Sequence, residues 1–325
     1  MSRAVASWPR LGLGCAVLGT PAPELDDTAA ESVIAAAIEH GIRLFDVAPL
    51  YGGGLAEERL GRALARLPRD DYVLCTKTGV TRPHGQSAMP PGATRRRQFD
   101  RWDYSAEATR ASVMKSLERL RTDRLDVVHL HDAEDHLDAC LDAHAELDRL
   151  RTGGIVGAIG IGSNLPDPVR CLIDRAPFSA LLLAGCYTLL DQSGRQLIET
   201  AHARDIAVIA GGVFNSGVLA AWPQPAPRFG YAPASAIILE RTRRIAAICE
   251  RHGVPLAAAA LQFVIAHPAI STVLIGPRSV PELEANLAAA RCEIPDALWS
   301  ELEAAGIITD DRPRRGVAGQ RTQSA

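Results

Sequence analysis

Arg43-Leu44-Phe45-Asp46-Val47-Ala48-Pro49-Leu50-Tyr51-Gly52 is the stretch on which the reading of the chain turns. Leu44 to Val47 is a short apolar run, the pattern of a buried strand. Ala48-Pro49 and the glycines Gly52 to Gly54 end it, which predicts a loop leading into a helix. An acid therefore stands at a strand end, with a tyrosine five residues on. The next apolar run, Val73-Leu74-Cys75-Thr76-Lys77, ends in a lysine, and the one after, Leu125-Asp126-Val127-Val128-His129-Leu130-His131, ends in a histidine. Four ionisable groups from three successive strand ends predict one site.

The same strand-then-helix unit repeats in both directions. Upstream, Leu11 to Cys15 reads as a strand, followed by helical periodicity from Thr28 to His40 that Gly41 stops. A helix from Ala56 to about Leu67 precedes the strand at Val73, and Ser105 is placed to cap a helix running to about Leu120. Downstream, strands at Ile155–Ile161, Ala180–Gly185, Ile206–Ala210 and Ser271–Ile275 alternate with helices at Leu137–Arg151, Pro166–Arg175, Gln192–Arg204, Ala234–His252, Pro255–Ala266 and Pro281–Ala290. Eight strands, each followed by a helix, within 325 residues predict an α/β fold of the (β/α)8 TIM-barrel type, one domain over residues 1–325 with a frayed tail from about 311. A doubly wound sheet is the competing architecture. It would carry G-x-G-x-x-G after the first strand, but Gly12 and Gly14 are followed by Cys15-Ala16-Val17.

Composition narrows the function classes. A net charge of −3 gives no reason to expect nucleic acid or an anionic membrane as partner. Arg95-Arg96-Arg97, the densest basic cluster, is either a solvated loop or a phosphate site. No apolar run approaches the ~20 residues of a membrane span, and glycines and Pro9 interrupt the N-terminus where a signal peptide would need a continuous apolar core. The seven cysteines have no paired spacing and no C-x-x-C, which argues against a disulfide framework or a metal site and for the reducing cytoplasm.

The four strand-end groups have a joint meaning. A tyrosine with a pKa near ~10 is a poor proton donor and acceptor at neutral pH. A nearby ammonium lowers that value by stabilising the phenolate. A carboxylate holds the ammonium charged, and a histidine can orient a substrate oxygen. Together they are apparatus for hydride transfer to or from a carbonyl, with the proton handled by Tyr51. Singly, each has a plainer reading: Asp46 as a loop cap, Tyr51 as a packed aromatic, Lys77 as an ion-pair partner or Schiff-base nucleophile, His131 as a hydrogen bonder. His129 would face the same side as His131, deeper in the barrel, as a structural residue.

From end to end the chain resembles the aldo-keto reductases. The likeness is carried by Phe45-Asp46-Val47-Ala48-Pro49-Leu50-Tyr51-Gly52, Thr76-Lys77, Asp126-Val127-Val128-His129-Leu130-His131, Gly160-Ile161-Gly162-Ser163-Asn164 and Gly276-Pro277-Arg278-Ser279 with Asn286. The resemblance implies Asp46, Tyr51, Lys77 and His131 as a catalytic tetrad, and a nicotinamide cofactor, NAD or NADP, with no metal. It implies Ser163 and Asn164 at the carboxamide. It implies the loop Gly211-Gly212-Val213-Phe214-Asn215-Ser216-Gly217 over the pyrophosphate, with Ser216 as a donor, and Gly276, Arg278, Ser279, Glu282 and Asn286 at the adenosine end. Within the family the chain is similar to the aldose (D-threo-aldose or L-fucose) 1-dehydrogenases, through Ala48-Pro49-Leu50-Tyr51-Gly52, Tyr187-Thr188-Leu189-Leu190-Asp191-Gln192 and Gly212-Val213-Phe214-Asn215-Ser216-Gly217-Val218-Leu219; pyridoxal 4-dehydrogenase is similar to the same group. The implied reaction is oxidation of an anomeric hydroxyl to a lactone, the proton passing to Tyr51 and on through Lys77 to solvent.

Two departures follow from the resemblance. Gly211 stands where many family members place an aromatic ring against the nicotinamide; Tyr187 either covers the ring instead or is structural. Glu282 stands where members that prefer the phosphorylated cofactor often have arginine, which favours NAD, with Arg278 near enough to pair with a phosphate. The small-molecule substrate is expected under the loops at 79–104 and 221–233, with Trp102, Tyr104, Trp222 and Phe229 as its apolar wall or as loop packing. The same tetrad also suits an aldehyde reductase. A cofactor-binding regulatory subunit and a Lys77 aldolase are the readings from other classes.

Overall fold

A computed structural model of the chain describes residues 8–81, 101–133, 135–230 and 232–309. Most of the first expected lid, with Arg95-Arg96-Arg97, and the expected frayed tail lie outside the described residues. The barrel strands are β1 (Leu11–Gly14), β2 (Leu44–Asp46), β3 (Val73–Thr78), β4 (Leu125–His131), β5 (Val156–Ser163), β6 (Ala180–Ala184), β7 (Ala207–Gly211) and β8 (Ile270–Ile275). Each pairs in parallel with the next, and β8 returns to β1 through Leu11 opposite Val273 and Leu13 opposite Ile275, so the sheet is a closed barrel. Closure removes the edges a doubly wound sheet would have.

The helices are α1 (Asp27–Glu39), α2 (Leu55–Leu64), α3 (Ala106–Leu120), α4 (Ala139–Thr152), α5 (Pro166–Ile173), α6 (Arg195–Ala203), α7 (Ala236–Arg251), α8 (Leu256–Ile265), α9 (Val280–Arg291) and α10 (Asp296–Ala304). Side-chain oxygens of Asp26, Ser105, Ser235 and Ser279 accept from backbone N–H groups three residues on and so start α1, α3, α7 and α9. Helix α10 is additional to the sequence reading. Two short antiparallel pairs, 80–81 with 101–102 and 228–229 with 232–233, sit in loops that the sequence marked as irregular.

Alternation along the strands divides two cores. Leu44, Cys75, Val127, Ala158, Ala180, Leu182, Ile209 and Leu274 fill the barrel, with Trp8 packed against them. The larger core lies between strands and helices. Gly12 lies close inside the barrel: a Cβ there would fall within 2.9 Å of the Leu44 and Leu274 side chains and 3.1 Å from the Leu44 carbonyl oxygen. In β4 the inward residues are Val127, His129 and His131. His129 is fully buried against Gly160, and burial, then Lys77 and His131, push its pKa well down, so it is a neutral filler of the layer beneath His131. The cysteines are all free thiols; five are buried, Cys292 is intermediate and Cys171 is exposed.

Candidate active site

The barrel brings the four strand-end groups together. Asp46 closes β2, Lys77 is the penultimate residue of β3 and His131 closes β4. Register sets their heights: Asp46 lies opposite Cys75, and Lys77 opposite His129. Lys77 Nζ donates to Asp46 Oδ2 at 2.6 Å and to the Val47 carbonyl at 2.9 Å, and stands 4.8 Å from the centre of the Tyr51 ring. The Tyr51 and His131 rings meet edge to face at 5.9 Å. Burial alone would push the Lys77 ammonium down, but the Asp46 carboxylate and then Tyr51 outweigh it and the net shift is upward. Burial pushes the Asp46 carboxyl up against the pull of Lys77, and its Oδ1 has no hydrogen-bond partner among the described residues.

Tyr51 is carried by a turn that only glycine can build. Gly52, Gly53 and Gly54 have φ of 66°, 63° and 101°, in the left-handed region. Gly52 also lies on Gly19: a Cβ would fall 2.3 Å from the Gly19 carbonyl oxygen, and a Cβ on Gly19 would fall 2.4 Å from the Tyr51 carbonyl carbon. The loop after β1 is therefore a backbone template for the tyrosine. Buried Arg59 in α2 fixes that loop by donating to the carbonyls of Leu18, Thr20 and Leu25 and to Asp27. Buried Glu57 accepts from Thr76 of β3 at 2.7 Å and pairs with Arg119 of α3, whose side chain covers Gly54. Gly52→Ala is expected to destabilise the fold by more than about 1 kcal/mol, from left-handed strain plus the clash, and to lower kcat by moving Tyr51; thermal unfolding and saturating-substrate rates check it. The sequence reading missed Glu57, Arg59 and Arg119. Charged residues in a helix expected to pack on a sheet were the available signal.

Two wall and cover candidates are buried and make packing contacts. Tyr187 is buried, stacked on Phe263 at 5.1 Å and edge-on to His267 at 4.9 Å. Phe263 belongs to α8, so this ring packs in the layer between barrel and helices. Tyr104 is buried with its ring on Gly79, and its hydroxyl donates to the carbonyls of His131 and Asp132. It supports the end of β4. Trp102 stacks on His136 at 6.4 Å, and Trp222 and Phe229 pack half-buried on the core. Asp132, also missed from sequence, has φ 49°, donates its N–H to the Gly162 carbonyl at 3.0 Å and places Oδ1 3.9 Å from His131 Nε2.

The residues expected at a cofactor lie at the ends of β5, β7 and β8. Ser163 closes β5, its hydroxyl accepting from the Leu165 N–H at 2.9 Å, and Asn164 follows it. Gly211 closes β7, and a Cβ there would meet only Ala184 and Leu182 at 3.7–3.9 Å, so the position has room beside it. In the loop beyond, Gly212 and Ser216 are exposed and Phe214 is half-buried; Asn215, Ser216 and Gly217 have φ of 45°, 60° and 93°. Asn215 Nδ2 donates to the Gly185 carbonyl, while its buried Oδ1 has no partner among the described residues. A strained loop with an orphaned buried acceptor and exposed backbone suits a polar ligand. Gly276 follows β8, Ser279 caps α9, Asn286 lies on α9, and Arg278 and Glu282 are bound to each other. Among the described residues no group of three His, Cys, Asp or Glu is placed to hold a metal ion.

Comparison with known proteins agrees with the barrel fold. The aldo/keto reductase family model matches residues 10–307. The chain is 39% identical to a D-threo-aldose 1-dehydrogenase of a Pseudomonas species, covering 92% of this chain and 94% of that protein. It is 35% identical to a pyridoxal 4-dehydrogenase of Microbacterium luteolum with the same coverage, and 30% identical to the L-galactose dehydrogenase of Arabidopsis thaliana over 91% and 86%. In fold it is similar to an aldo-keto reductase of Bacillus halodurans in its holo form, with a TM-score of 0.74, 24% identity and 92% of each chain covered. The chain belongs to the aldo/keto reductase family and is an NAD(P)-dependent oxidoreductase.

Proposed function

We propose that the protein oxidises the anomeric hydroxyl of an aldose of the L-fucose or D-threo type to a lactone, with Tyr51 as the general base. The observation that carries this reading is the buried Asp46–Lys77 pair at 2.6 Å with the ammonium against the Tyr51 ring. A fixed positive charge there stabilises the phenolate and makes Tyr51 able to take a hydroxyl proton near neutrality. Because Asp46 keeps Lys77 charged, we assign the lysine an electrostatic role and not that of the proton acceptor that the relay required. His131 orients the reacting oxygen. NAD(P), held by Ser163, Asn164, the 211–217 loop and the start of α9, supplies the hydride acceptor. The likeness to dehydrogenases of aldoses, at 39% and 30% identity, supports the sugar class. The seven free thiols support a reducing compartment, the cytoplasm.

NAD is the proposed cofactor. Arg278 gives its backbone N–H and its guanidinium to Glu282, at 2.8 to 3.2 Å, so the cation that would pair with a 2′-phosphate already faces a carboxylate. Glu282→Gln is expected to raise the preference for NADP over NAD by roughly fivefold, the worth of an exposed ion pair, measured as the ratio of cofactor dissociation constants.

The test of the reaction is reduced-cofactor absorbance with L-fucose, D-arabinose, L-galactose and pyridoxal. Rapid turnover of one sugar, lost in Tyr51→Phe, is expected. Turnover of pyridoxal alone would transfer the same chemistry to a pyridine substrate, and silence on all four would overturn the assignment.

A further inference from the structure

Asp132 is a carboxylate that the fold holds in place at some cost. Its φ of 49° lies in the left-handed region, which aspartate enters more readily than most residues but still with strain. Two contacts over-determine that backbone. Its N–H donates to the Gly162 carbonyl on the neighbouring strand β5, and its carbonyl accepts from the Tyr104 hydroxyl. Tyr104 is seated on Gly79, whose own φ is 97° and where a Cβ would fall 2.1 Å from the ring. Strain maintained by such surroundings is characteristic of residues that a site must aim.

The carboxylate faces the imidazole of His131. His131 faces inward at the top of β4, and Asp132 Oδ1 lies 3.9 Å from its Nε2, with the carboxylate side chain 31% exposed and the imidazole nearly buried. That separation is too long for a direct hydrogen bond and suits a bridge. One hydroxyl bonded to Nε2 and a second, on the adjacent carbon in a gauche arrangement, bonded to Oδ1 would span it with each contact at about 2.8 Å. A carboxylate is acceptor-only and so selects a hydroxyl.

We propose that Asp132 is a specificity-determining residue that accepts a hydrogen bond from the hydroxyl on the carbon next to the reacting one, so that the site selects 2-hydroxy sugars and 2-hydroxy aldehydes. The choice of sugar probe rests on the oxidation proposed above; the aldehyde probe does not.

The experiment compares L-fucose with its 2-deoxy analogue in oxidation, and lactaldehyde with propionaldehyde in reduction, for the wild type, Asp132→Asn and Asp132→Ala. In the wild type the 2-hydroxy member of each pair is expected to lead in kcat/KM by about tenfold to a hundredfold, the effect of one hydrogen bond to a charged acceptor. Asp132→Ala brings the ratio toward one, and Asp132→Asn, which keeps an acceptor without the charge, gives an intermediate ratio. If both members of a pair instead lose rate together and the ratio stays at its wild-type value, Asp132 acts only through His131 and the proposal falls. Sugars that are not oxidised, beside an aldehyde pair that behaves as expected, overturn the aldose reading and leave Asp132 as assigned. A wild type inactive on both pairs overturns both.

Discussion

Lys77→Met is expected to cost the protein both its rate and much of its stability. The substitution keeps the bulk of the stem but removes the charge that Asp46 faces at 2.6 Å, in a place where the two side chains are 1% and 4% exposed. A buried carboxylate without its partner destabilises by about 3–5 kcal/mol, and thermal unfolding at neutral pH reads it. The double variant Asp46→Asn/Lys77→Met leaves no unpaired charge at this pair, so it should regain most of that stability and none of the activity. The sign of the pH dependence follows from the upward shift of Lys77. Its folded pKa lies above the ordinary 10.5, so its contribution is complete below that value and is lost as the pH rises through the folded one. Wild-type stability is therefore expected to fall above about pH 10.5, and the double variant to lack that component. In Lys77→Met the lone Asp46 carboxyl, already pushed up by burial, rises further, so its deficit should shrink as the medium is acidified.

Tyr51→Phe is expected to lower kcat by about a hundredfold to ten-thousandfold, the range for a lost general acid or base. The ring still fits its turn, because the constraint on that turn is the contact between Gly19 and Gly52, which the substitution leaves alone. Thermal stability and cofactor affinity should stay near wild type, which separates a chemical loss from a folding loss. A rate within tenfold of wild type would show that the proton passes through another group, and His131, 5.9 Å away ring to ring, would be the one to examine.

The strands and the meeting of the four strand-end groups were legible because their signals are local. An apolar run marks each barrel strand, closed by glycine or proline in all but β4, and the ionisable residues stand at the runs' ends, where β2, β3 and β4 stop. Alternation correctly sent His129 and His131 to the same side of β4. Contacts made over long sequence distances were not legible. Tyr187 reads as a strand-end aromatic, and only the placement of Phe263 and His267 shows that its ring is enclosed. Tyr104 reads as a loop aromatic near the mouth, yet its hydroxyl is bound to carbonyls 27 and 28 residues away. Arg59 gives no hint of the three carbonyls it holds, since backbone acceptors leave no trace in composition. Helix α10 is short, and Pro295 with Leu298, Trp299 and Leu302 buried is the pattern that would have revealed it.

Cys15, in the turn just after β1, and Cys75, on β3, lie to either side of β2, with the Cys15 N–H donating to the Asp46 carbonyl and Cys75 opposite Asp46 in register. Burial, and then the negative charge of Asp46, push both thiols upward, away from the thiolate that oxidants and alkylating agents attack. Sulfur beside the Asp46–Lys77 pair is thus held toward the protonated thiol. The exposed thiol, Cys171, sits on α5 in the outer ring of helices, where a covalent dye or an oxidative scar would be borne without reaching the barrel mouth.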